Sequence, residues 1–204
     1  MTGHQGLLAA RPPSDPALRR SVRRGVIAGM FIRIAAVFAI ILVATPVAAQ
    51  LASSPELGKA EGHCRTGESS TRLLVAVVGL KDRKGSLKLE VYPANESDFL
   101  QDDNILLNQG KVFRRVEAPV PPNGPVELCI RLPGPGSYSI VLLHDRNRNH
   151  KFDWMADGVG FGGNPRLGWT KPKASDAKVT AALGINRVSM VLNYRQGLRI
   201  APLP

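Results

Sequence analysis

The residues best able to do chemistry lie in one stretch, His144-Asp145-Arg146-Asn147-Arg148-Asn149-His150-Lys151-Phe152-Asp153. Asp145, Asn147, Asn149 and Asp153 occupy positions 1, 3, 5 and 9 of a calcium-type loop, with the Lys151 carbonyl at position 7. Calcium takes about six to eight oxygens from a tightly curled backbone, and alternate Asx residues supply them at this spacing. The match is partial. His150 replaces the glycine of position 6, and Ala156 stands where a bidentate glutamate closes the loop, with Asp157 one place late. Arg146, Arg148 and Lys151 put positive charge beside the ligands, so calcium, the one cofactor suggested, is expected to bind weakly, at about 10⁻⁴ to 10⁻³ M. The alternative is an Asx-rich turn whose side chains accept backbone N–H groups and need no ion.

His144, Asp145, His150 and Asp153 also read as a transition-metal or acid/base cluster, the basis of an alternative metal-dependent or hydrolase-like enzyme. Its support is thin: there is no His-Glu-x-x-His, no cysteine pair at zinc spacing, no Gly-x-Ser-x-Gly and no phosphate-binding glycine loop. No catalytic residue is assigned. The leading expectation is a non-enzymatic module that binds a ligand or a cell-surface component, with Trp154, Phe161 and Trp169 as binding residues. The alternative for these three rings is that they cap the end of the fold.

The elements that must position these groups are short strands. TRLLVAVVGL (71–80), the turn at Lys81 to Gly85, and the alternation of Leu87, Leu89 and Val91 with Lys88, Glu90 and Tyr92 predict a hairpin. Val112, Val116 and Val120 form a weaker run. Val126 to Leu132 alternates, Pro133-Gly134-Pro135-Gly136 turns the chain, and SYSIVLLHD (137–145) is apolar at nearly every position, as in a central strand. Val188, Met190 and Leu192 alternate before Tyr194. Gly158, Gly160, Gly162 and Gly163 predict a loop needing positive φ or close packing. Residues 96–109, with Phe99, Leu100 and Leu106, offer one short helical turn. The fold class expected is all-β, an antiparallel β-sandwich of immunoglobulin-like or prealbumin-like type with about seven strands.

Ahead of the strands, an apolar run at 34–44 (IAAVFAIILVA) follows Arg33 and the Arg19/Arg20/Arg23/Arg24 cluster and precedes Val47-Ala48-Ala49. This order predicts a signal peptide over 1–49 cleaved after Ala49, hence a periplasmic or secreted protein. Translation starting at Met30 would give a more compact signal, and an uncleaved anchor is the alternative, though the run is short for a span. A membrane is a partner only through that segment if it is uncleaved. The domain bounds expected are a flexible linker at 50–70, poor in large apolar residues, a sandwich at 71–196 and a tail at 197–204.

The net charge of +11 hints at nucleic acid, but six of the 27 basic residues and one of the 16 acidic ones precede Gln50, leaving 21 against 15. Those are scattered and aromatic residues make up only 5%, so no phosphate-tracking stripe or stacking platform exists and nucleic acid is not an expected partner. Cys64 and Cys129, the two cysteines, are expected to pair in an oxidising compartment and staple the N-terminal arm to a strand.

The His144-Asp145 strand end, the Asn147/Asn149/Asp153 loop, GVGFGGNP (158–165), PKASDA (172–177) and the last strand ending in Tyr194 together resemble the bacterial domain of unknown function 2141, over roughly residues 71–194. The resemblance implies an exported β-sandwich and supplies no activity. It departs at His150, where glycine is usual.

Overall fold

The computed structural model describes residues 50–204. These residues lie in one compact unit that contains both sheets, the core and the disulfide, so it carries what a domain needs to fold by itself. The expected signal peptide and the Met30 start lie outside the described residues, among which no helix is long and apolar enough to cross a membrane.

The described residues form β1 (Arg72–Val78), β2 (Ser86–Pro93), the helix α1 (Asp103–Asn108), β3 (Arg114–Pro119), β4 (Glu127–Arg131), β5 (Gly136–Asp145), β6 (Gly158–Phe161), β7 (Lys178–Ala181), β8 (Ile185–Val191), β9 (Asn193–Gln196) and β10 (Arg199–Pro202). Two sheets face each other. The large one has the order β10-β9-β6-β5-β2-β3, with β7 also paired to β5; the small one has the order β4-β1-β8. Pairing is antiparallel except between β1 and β8, which run parallel. The fold is an all-β sandwich.

Period-two alternation explains the core. Leu87, Leu89 and Val91 of β2 and Ile140 and Leu142 of β5 point inward against Leu73, Val75, Leu128, Ile130 and Met190 of the small sheet. On the outer face of the large sheet a second cluster gathers Tyr92, Phe99, Leu106, Phe113, Val141 and Phe161, covered by α1 and a 3-10 turn at Ala174–Ala177. Being covered on both faces is why β5 is apolar at nearly every position.

Four expectations are corrected. The hairpin is absent: β1 and β2 belong to different sheets, and the Gly79 to Gly85 connection crosses between them. Residues 50–70 are not a free linker but run along both sheet edges. There Arg115 N–H donates to Gly58 O, Ala60 N–H to Arg115 O and Arg131 N–H to Glu61 O. Buried Arg72 fastens the same arm through Glu68, Glu61 and the His63 carbonyl. The tail at 197–204 supplies β10. Finally, Gly158 to Gly163 holds strand β6, and none of its four glycines has positive φ; close approach is the reason for them. A Cβ on Gly158 would overlap the Tyr194 ring, and one on Gly163 the Asp176 carbonyl. Asn164 has the positive φ, 50°. Its carboxamide donates to Ser189 O and accepts from Val191 N–H, both at 2.8 Å, occupying the exposed edge of β8.

Candidate functional site

The outer face of β2, β5 and β6 continues beyond the second cluster as an apolar floor of Val141, Leu143, Val159 and Phe161. Two loops flank it. The end of the Asx loop and the residue after it bring Phe152 and Trp154, and residues 166–172, an irregular segment broken by Gly168 and bounded by Pro165 and Pro172, bring Leu167 and Trp169. Together they enclose a cleft of about 430 Å³, within the size range of small-molecule sites. All three rings singled out from the sequence line it: Trp154 and Trp169 form its lips and Phe161 is buried in its floor. They stand over a sheet face and do not cap the end of the sandwich. The polar contribution is small and set to one side: Lys88 Nζ lies 3.3 Å from Glu90 Oε1, which also takes the Arg115 guanidinium at 2.9 Å.

The His-Asp cluster does something else. His144 is fully buried, with Nδ1 2.7 Å from Tyr194 Oη and Nε2 2.7 Å from the Lys84 carbonyl. A carbonyl only accepts, so Nε2 carries the proton, and Nδ1 accepts from the Tyr194 hydroxyl. That hydroxyl in turn accepts Lys81 N–H at 3.1 Å. The chain of three bonds ties the crossover between the sheets to β5 and β9 and leaves His144 no free nitrogen for catalysis. Burial lowers the His144 pKa below 6.5 and pushes the Tyr194 phenol up to about 12, keeping both neutral.

Asp145, also buried, accepts Asn149 N–H at 3.2 Å and His150 N–H at 2.7 Å. Asn147 accepts Asn149 N–H, Asn149 accepts Lys151 N–H, and Asp153 accepts Met155 N–H. Asp157, not singled out from the sequence as a ligand in register, joins the two ends of the loop by accepting Arg146 and Asp153 N–H groups. The oxygens expected around an ion are turned onto the loop's own backbone, with Arg148 and His150 held at positive φ. His150 pairs at 3.1 Å with Glu117, a β3 residue that the sequence did not flag. Asp145, His150 and Glu117 therefore cluster, while His144 and His150 face different partners and neither bonds a serine, threonine or thiol.

Cys64 and Cys129 are disulfide-bonded, with Cα atoms 5.6 Å apart. No curated protein and no solved structure matches the chain. A family model described as an uncharacterized protein conserved in bacteria (DUF2141) matches residues 75–188. That span runs from β1 to β8 and takes in the His144-Asp145 strand end, the Asx loop and the glycine-rich strand, more than half of the sequence, so the chain belongs to the DUF2141 family.

Proposed function

We propose that the protein is an exported, non-enzymatic module that holds a small ligand with an apolar, ring-sized body in the cleft between Trp154 and Trp169. The observation that carries this reading is the convergence of those two indoles and the Phe161 floor on one concave apolar surface. The His144 bonds favour it over the enzyme alternative, because they use the histidine structurally. The test is titration with the apolar fluorophore 1-N-phenylnaphthylamine, for which saturable one-to-one binding is expected. Trp169→Ala, an exposed position, should weaken it at least about tenfold, the scale of a tryptophan anchor. No saturable binding, or equal affinity in the variant, would overturn the reading.

Export is supported by the basic, apolar and small-residue order of the first 49 residues and by the disulfide. N-terminal sequencing of protein from the native host should find a chain beginning at or near Gln50 outside the cytoplasm. A full-length membrane-embedded product would contradict this.

In this reading the Asp145 to Asp153 loop is a rigid turn and not a calcium site. A site of ~10⁻⁴ M would add roughly 1.8 kcal/mol at about 2 mM calcium. The expected result is an unchanged melting temperature. A calcium-dependent rise that Asp145→Asn abolishes would restore the ion.

A further inference from the structure

The lips of the cleft are more exposed than a ligand site requires. Trp169 is 81% exposed, Met155 63%, Phe152 47% and Trp154 37%, and all four project from the two loops that flank the cleft or continue them. Large apolar side chains clustered in water mark a surface that meets something apolar. The exposed charges around them are mainly basic. From Gly158 to Ser175 there are three basic residues, Arg166, Lys171 and Lys173, and no acidic one. Arg199 stands beside Ile200, which lines the cleft, and the Arg195 guanidinium lies 3.0 Å from the Met155 sulfur. Among the described residues none of these five cations forms an ion pair, whereas Arg72, Arg115 and Arg146 elsewhere all do. The neighbouring acids are occupied: Asp153 and Asp157 accept backbone N–H groups of their own loop, Asp176 accepts the Lys173 N–H, and Glu90 pairs with Arg115.

From this we infer that the face docks on an anionic lipid bilayer. Indole rings, with an apolar body and a polar N–H, settle at the headgroup level, and unpaired Lys and Arg side chains around them meet lipid phosphates. Trp169, Trp154, Phe152 and Met155 enter the headgroup zone, with Arg166, Lys171, Lys173, Arg195 and Arg199 surrounding them. A protein partner is less well matched, since protein interfaces are depleted of lysine and this rim contains two. A bilayer offers a continuous apolar and anionic surface to every group at once. Docked in this way, the cleft opens at the membrane, where apolar molecules are concentrated.

The test is flotation of the chain beginning at Gln50 with vesicles of phosphatidylcholine, with and without phosphatidylglycerol. Capture by the phosphatidylglycerol vesicles only is expected, with a blue shift of tryptophan emission and release by high salt. Trp169→Ser should reduce capture at least about tenfold, and so should Arg166→Glu combined with Arg199→Glu. The double variant alters no cleft-lining residue and should keep its affinity for phenylnaphthylamine, so loss of the ligand site and loss of docking are read separately. No capture, equal capture by pure phosphatidylcholine, or capture unchanged in both variants would overturn the inference.

Discussion

Replacing both Cys64 and Cys129 by serine is expected to lower the melting temperature by about 8 to 16 °C. The bridge spans a sequence separation of 65, and closing a loop of that size removes about 4 kcal/mol of denatured-state entropy in the chain-entropy model. For a domain of this size each kcal/mol moves the midpoint by about 2 to 4 °C. The bridge also holds the arm at 50–70 against β4, where Arg131 N–H and Arg72 engage Glu61 and its neighbours, so its loss frees polar contacts that apolar burial does not replace. Calorimetry of the serine variant, and of wild type with and without reductant, measures the effect. A shift below about 2 °C would show that the edge hydrogen bonds and the Arg72 ion pairs hold the arm without the bridge.

Tyr194→Phe is expected to destabilise by about 2 to 4 kcal/mol, although it removes one oxygen. The loss orphans two groups: the Lys81 N–H and the buried Nδ1 of His144, each costing about 1 to 3 kcal/mol without a partner. Urea unfolding at neutral pH measures this, and a change under about 0.5 kcal/mol would mean that water replaces the hydroxyl. The same network sets a pH dependence. Burial depresses the folded His144 pKa below 6.5, so below that pH the unfolded chain binds the proton first. The stability held by neutral His144 is therefore complete above pH 6.5 and is lost as pH falls from there through the lower folded value. His144→Gln should flatten this limb. Asp82 is a separate case: the hydrogen bond from Arg146 holds its pKa below 3.8, and its contribution is lost only as pH falls through that lower range. A wild-type curve flat between pH 7 and pH 5 would contradict the histidine assignment.

Alternation made β2, β4 and β8 legible in the sequence, because one face of each meets the core, while β5, covered on both faces, showed as a continuous apolar run. Alternation does not say which sheet a strand joins, so β1 and β2, adjacent and both apolar, read as a hairpin that the crossover denies. Strand β6 was missed because glycine is a poor strand former, and its need for glycine comes from the Tyr194 ring and from backbone far along the chain. The arm at 50–70 was missed because Arg72, Glu61, Glu68 and the disulfide anchor it, and none of these registers as hydrophobicity. Within the site, the Trp154, Phe161 and Trp169 rings could be named from residue type, although Phe161 is buried. Their meeting over one sheet face, and the pairing of His144 with Tyr194, depend on contacts that no local pattern encodes.

The parallel pairing of β1 with β8 has a kinetic consequence. The first strand of the domain has β8 for one neighbour, and β8 is among the last segments to be synthesised, so the small sheet cannot close until almost the whole domain is available. Topologies dominated by such distant pairings fold on the order of milliseconds to seconds, because loop closure precedes the contacts that reward it. For a chain carried across a membrane, as proposed here, that delay is useful: the nascent chain stays threadable, and the fold is completed only on the far side.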